Sequence, residues 1–287
     1  MFVVGLVNYK TSVYMETQFK IYRDFAGEDF QIIVIENSHN QQELDRIVEI
    51  AQAFAIPIRV ILGNTEGYSS ESHGSALNKA YKVSVDEYPN VPYLLTQDPD
   101  FFWVRPHFLT FLKEKLQHSW VVGAPYPETD GHFQGPKDFP AAFGAAYQAD
   151  KLREIGADFR YTPGPPISQD VGWQIRANLG YGPYFSFAQE EFVPQGMYSF
   201  ATPRHSSSSK MCNTPRRYCA DNRTVGYHLF FGSFETTVSR GIHLSRGRAS
   251  KNRRQKLYDM MPPEEWQENR RKLCEFFWKE INSAAKQ

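Results

Sequence analysis

Cysteine is scarce in this chain, and its scarcity excludes two architectures. Cys212, Cys219 and Cys274 are the three in 287 residues, too few and too irregular for a disulfide framework. The gap between Cys212 and Cys219 also misses the close pairs of zinc sites. Reduced thiols fit a cytoplasmic compartment. Net charge is absent as well: 32 basic residues balance 32 acidic ones, so no global field draws the protein to nucleic acid or to a membrane. No apolar run approaches the roughly 18 residues needed to span a bilayer. The opening run Phe2–Val7 lacks the basic region and long apolar core of a secretory signal. No internal repeat is present. The expectation is a soluble, cytoplasmic protein without a nucleic-acid partner.

Aromatic weight is abundant. With 22 Phe, 16 Tyr and 5 Trp, the chain can bury a large core as one α/β domain or one domain with appendages. Short β-branched runs at 3–7, 31–36, 56–62 and 93–96 alternate with helical spacing at 13–25, 41–54, 75–85 and 108–116. That alternation predicts crossover units and a mostly parallel sheet covered on both faces. The second half is less regular. It reads as a strand at 120–126, a strand-to-helix passage at 141–155, a helix at 168–179 ended by Gly180, a mobile loop near 203–222 and a terminal amphipathic helix over 262–279.

In open parallel sheets, ligands bind beyond the carboxyl ends of the strands. Asn8, Glu36-Asn37, Gly63-Asn64 and the segment Asp98-Pro99-Asp100 fall at such ends. In an extended chain residues i and i+2 face the same side, so Asp98 and Asp100 are expected to share one cavity. Two adjacent carboxylates resist ionising together. A divalent cation completed by phosphate oxygens resolves the conflict, since Mg²⁺ and Mn²⁺ prefer carboxylates plus substrate phosphates. The alternative is a solvated Asp-Pro turn.

Together these pieces resemble a family-2-like glycosyltransferase of the GT-A fold, over roughly residues 3–180. The motifs are Val3–Asn8, Val34-Ile35-Glu36-Asn37-Ser38, Gly74-Ser75-Ala76-Leu77-Asn78, Asp98-Pro99-Asp100, and Gln169-Asp170-Val171-Gly172-Trp173 with Arg176 and Gly180-Tyr181. Gln169 and Gly172 stand where the family pattern has further acids. The resemblance implies a Rossmann-like, mostly parallel sheet flanked by helices. It also implies a nucleotide-sugar-binding half (1–118), an acceptor-binding half (119–239), and a basic segment with a C-terminal helix (240–287).

The resemblance further implies roles. Asp98 and Asp100 would hold Mn²⁺ or Mg²⁺, joined by a late histidine for which His228 stands ahead of His243. Asn8, Glu36, Asn78 and Asp98 would contact a UDP- or GDP-sugar, with Arg246 and Arg248 on its diphosphate. Asp170 would be the general base of an inverting transfer to a glycan or glycolipid. Trp103 and Trp173, aromatic and near the carboxylates in sequence, are the candidates to meet that acceptor.

Each residue also has a plainer reading. Asp170 caps a helix, Glu36 is a loop carboxylate capping the following helix, Asn78 lies on an exposed face, His228 is a packed histidine, and the aromatics around 173–192 are core. Seven cations without an acid between Arg240 and Lys256 form either a solvated segment or a phosphate- or membrane-facing one. A non-catalytic sugar-nucleotide or glycan binder on the same fold, and a sugar nucleotidyltransferase, are the alternative functions. Against the second, Asn8-Tyr9-Lys10-Thr11-Ser12 lacks the glycine-rich loop such enzymes carry after their first strand.

Overall fold

A computed structural model describes residues 1–67, 69–126, 139–161, 171–191, 216–229 and 263–286. Its strands are β1 (Phe2–Asn8), β2 (Phe30–Glu36), β3 (Ile58–Leu62), β4 (Tyr93–Gln97), β5 (Phe101–Trp103), β6 (Val121–Pro125), β7 (Pro140–Gln148), β8 (Tyr184–Ser186), β9 (Ala188–Glu191), β10 (Arg216–Ala220) and β11 (Arg223–His228). Its helices are α1 (Met15–Phe25), α2 (Gln41–Ala53), α3 (Ser70–Glu87), α4 (Phe108–Leu116), α5 (Ala149–Glu154), α6 (Trp173–Leu179) and α7 (Pro263–Ala285).

The main sheet runs β3-β2-β1-β4-β7-β6-β8. β3, β2, β1 and β4 are mutually parallel, whereas β7 lies antiparallel to β4 and to β6. The sheet is therefore mostly parallel, as its alternation with helices demands. Alternate residues of the central strands enter opposite cores. Phe2, Val4, Leu6, Ile32 and Val34 join one, together with side chains of α1, α4 and α7. Val3, Val7, Ile33 and Ile35 join the other, against Ala76, Leu77 and Ala80 of α3. Burial on both faces explains why these strands read as continuous apolar runs rather than as alternating ones.

Register lines up the site. Asn8 pairs with Glu36 across β1 and β2, and Leu6 pairs with Gln97 across β1 and β4, so the carboxyl ends of three strands finish at one edge.

A second, four-stranded antiparallel sheet, β5-β11-β10-β9, was not expected from the sequence. It corrects the reading of 203–222 as a mobile loop, because Arg216–Ala220 is strand. Arg216, Tyr218 and Ala220 turn inward. Asp221 and Asn222 take positive φ of 52° and 60°, the conformation of a tight hairpin turn that Asn and Asp tolerate. The remainder of that loop lies outside the described residues, as does the basic segment.

The long C-terminal helix packs on the first half of the chain. Phe277 stacks on Phe102 with ring centroids 4.7 Å apart, and Trp278 meets Phe25 at 5.7 Å.

Candidate metal and donor site

Asp98 and Asp100 occupy the turn between β4 and β5. The amide of Phe101 donates to the Asp98 carbonyl at 3.1 Å, closing that turn, and Asp98 N–H reaches Phe143 O at 2.9 Å. The two carboxylates thus share a side because the chain reverses there, and not because it is extended. Asp100 is 3% exposed, so the turn is not a solvated one.

Buried amides brace it from within. Gln18 of α1 donates from Nε2 to Pro99 O at 2.5 Å and to Phe101 O at 3.0 Å. Gln97 donates to Phe101 O at 2.9 Å, and its own Oε1 accepts from Tyr22 Oη at 2.6 Å and Trp103 Nε1 at 2.8 Å. On the other side, β7 and β11 approach the Phe101 ring closely. A Cβ on Gly144 would lie 2.7 Å from it, so only glycine fits.

His228 comes to this turn from 128 residues away because β11 pairs with β5, setting His228 opposite Phe101. Leu229 N–H then donates to Asp100 O at 3.1 Å. His228 Nε2 lies 3.1 Å from Asp100 Oδ1 and 3.7 Å from Asp98 Oδ2. Its ring packs on Phe143, with centroids 4.2 Å apart. One ligand atom from each of Asp98, Asp100 and His228 falls within a 4.8 Å cluster.

Three convergent donors, two anionic and one imidazole, fit a divalent cation. The carboxylates suit Mg²⁺ and Mn²⁺, and the imidazole adds a softer ligand compatible with transition metals. His73, in the first turn of α3, stands 3.1 Å from Asp98 Oδ1 and was missed by the sequence reading. The serines at 69 and 70 are an N-cap signal, and Ser69 does accept from Ser72 N–H at 3.1 Å. Starting the helix at 75 left His73 in a loop.

No protein-family description matches the sequence, and no curated protein matches it either. Among solved structures, PcManGT is a mannosyltransferase from Pyrobaculum calidifontis in complex with GDP-Man and Mn²⁺. It aligns with 99% of this chain and 74% of its own, at 9% identity and a TM-score of 0.50. The chain has the GT-A fold. TarS from S. aureus in complex with UDP-GlcNAc aligns over 89% of this chain and 70% of its own, at 12% identity and a TM-score of 0.39.

Other expected GT-A site residues stand differently. Asn8 and Glu36, expected as donor contacts, end their strands at the site's edge, and both side chains are fully buried. Glu36 accepts from Asn8 Nδ2, from Ser38 Oγ, and from Ser38 N–H at 2.6 Å. Burial raises its pKa, against the opposing pull of those hydrogen bonds. Asn8 Oδ1 in turn accepts from Thr11 Oγ at 2.5 Å. The pair holds the β1 and β2 loops.

For Asn78 the helix start is corrected: α3 begins at Ser70 and carries Asn78 past two turns from the N-terminus. Its amide clamps residues 158–159, donating to Asp158 Oδ1 and accepting from Phe159 N–H, both at 2.7 Å. Trp103 is corrected too. It is 1% exposed and stacked on Phe108 with planes 4° apart, so it has no face for an acceptor.

Trp173 is half-buried at the start of α6. Just before it, Gly172 takes φ +87°, a left-handed conformation that explains a glycine where the family pattern carries an acid. Tyr126 Oη donates to Val171 O, pinning the helix entry. Asp170, His243, Arg246 and Arg248 lie outside the described residues.

Proposed function

We propose that this chain is a metal-dependent glycosyltransferase that moves a sugar from a UDP- or GDP-sugar to a hydroxyl of a glycan or glycolipid. The observation that carries the reading is the convergence of Asp98, Asp100 and His228 at the carboxyl end of β4 in a GT-A fold. PcManGT, on that fold, was solved with GDP-Man and Mn²⁺.

In this reading Asp98, Asp100 and His228 hold Mn²⁺ or Mg²⁺. When bound there, such an ion would supply Lewis-acid stabilisation for the charge that develops on a departing nucleoside diphosphate. Asp98 and Asp100 are kept on one side by the turn that Gln18 and Gln97 brace, so little reorganisation is needed when the diphosphate arrives. Asp170 takes the proton from the acceptor hydroxyl as that oxygen attacks the anomeric carbon opposite the leaving group, which inverts the centre. Trp173 offers a stacking face to the acceptor. Arg246 and Arg248 contact the diphosphate, and the basic segment 240–256 meets an anionic membrane surface. The compartment is cytoplasmic.

Release of nucleoside diphosphate from UDP- and GDP-sugars tests this directly. Turnover is expected with Mn²⁺ or Mg²⁺ and not with chelator, and NMR of the product is expected to show an inverted anomer. Asp170→Asn is expected to bind donor and not transfer it. Normal turnover by that variant removes Asp170 as the base. Donor binding without transfer across varied acceptors supports a non-catalytic binder instead.

A further inference from the structure

Two imidazoles address opposite oxygens of one carboxylate. His228 Nε2 lies 3.7 Å from Asp98 Oδ2, while His73 Nε2 lies 3.1 Å from Asp98 Oδ1. The inner members of the cluster, Asp100 and His228, have side chains 5% and 3% exposed. His73 and Asp98, at 23% and 24%, form its rim. A rim carboxylate has a soft terminal torsion, so its direction depends on what holds it.

The element that carries His73 is rigid. Asn37 Nδ2 donates to Ser72 O at 3.1 Å, tying the first turn of α3 to the end of β2. Immediately after His73, a Cβ on Gly74 would come within 2.7 Å of Phe159 O, so the helix is seated against the 159–161 backbone with no slack. Local packing of this kind fixes where the imidazole starts from, independently of any ligand.

We propose that His73 is a positioning residue for Asp98. Its imidazole Nε2, 3.1 Å from Oδ1, stands against that side of the carboxylate and keeps Oδ2 turned toward the cluster formed with Asp100 and His228. The role rests on the metal-site reading above and extends it: the first turn of α3 sets the geometry of a ligand that belongs to the β4–β5 turn. Partners of this kind orient ligating carboxylates, and their loss typically costs about 10- to 100-fold in metal affinity.

Mn²⁺ binding followed by electron paramagnetic resonance, on the protein alone and with UDP or GDP, reads this role without recourse to activity. The proteins compared are wild type, His73→Ala, His73→Gln and Asp100→Ala. His73→Ala is expected to weaken Mn²⁺ binding about 10-fold or more. His73→Gln, whose amide N–H can reach the same oxygen, is expected to return it to within about threefold of wild type. The thermal midpoint of both variants is expected to stay near that of wild type, which a merely structural role would not allow.

An Mn²⁺ affinity in His73→Ala within about twofold of wild type, with Asp100→Ala abolishing binding, overturns the role of His73 and leaves the metal site standing. Glutamine no better than alanine also overturns it. Absence of Mn²⁺ binding by the wild-type protein in both conditions overturns the site and the role together.

Discussion

At the scale of single residues, the site depends on polar side chains whose partners are set by burial. Asp158 illustrates the logic away from the metal cluster. The Arg160 guanidinium holds its carboxyl down at about 2, with Asn78 and the Arg160 amide adding to the effect. The native state therefore binds that proton more weakly than the unfolded chain does. The stability it contributes is complete above the ordinary aspartate value and is lost as pH falls from about 4 towards about 2. Urea midpoints of wild type and Asp158→Asn should differ near neutral pH and converge in acid. A difference that stays constant with pH would contradict the Asn78–Asp158–Arg160 clamp. Gln18 is the corresponding residue beneath the β4–β5 turn. Gln18→Leu deprives the Pro99 carbonyl of its buried Gln18 donor, at a cost of about 1–3 kcal/mol, while Phe101 O keeps the Gln97 donor. The expected readout is a lower urea midpoint together with weaker Mn²⁺ binding, and an unchanged Mn²⁺ affinity would show that the turn holds without it.

At the scale of elements, what was legible in the sequence was local. The runs that became β1, β2 and β4 are apolar because both their faces are buried, and α4 begins and ends where its spacing predicts, at Phe108 and Leu116. Asp98 and Asp100 were legible as a pair, although the turn that joins them was read as extended chain. The second sheet was not legible. β5 is three residues long and finds its partner β11 more than 120 residues later, so no window along the chain contains the signal. For the same reason the sequence left two histidines open as metal ligands. The pairing that sets His228 against Phe101 is what brings it to Asp100. Trp103 was misread because its closeness to Asp100 in sequence says nothing about which way β5 faces, and its indole N–H is used by Gln97. A substitution at Gly144 probes how tightly β7 backs this element. Gly144→Ala pushes a Cβ into the Phe101 ring, and overpacking of this kind typically costs about 1–3 kcal/mol. Chemical denaturation is expected to show that loss, and full stability would contradict the close approach of β7 to β5.

At the scale of the whole molecule, one sheet crosses from the first half to the second through the β4–β7 pair, and α7 closes over the first half. Phe277 is fully buried, so Phe277→Ala is expected to cost about 3–5 kcal/mol, read as a loss of denaturant midpoint. Burial pushes the Cys274 thiol up to about 12, so native protein should protect it from thiol reagents until α7 undocks. Rapid labelling of Cys274 at neutral pH in folded protein would contradict that packing. Among the described residues no helix is long and apolar enough to cross a membrane. β1, β2 and β4 end together at the carboxyl edge of the main sheet. That edge is where Asp98, Asp100 and His228 meet, and the account depends on their holding a cation against a nucleoside diphosphate. Calorimetric titration of UDP, GDP and CDP, each with and without Mn²⁺, into wild type and Asp100→Ala is the most direct test. The account expects one nucleotide to bind wild type, to bind it with Mn²⁺ alone, and to lose affinity in a folded Asp100→Ala. Equal affinity without metal, unchanged affinity in Asp100→Ala, or no binding of any nucleotide would contradict it.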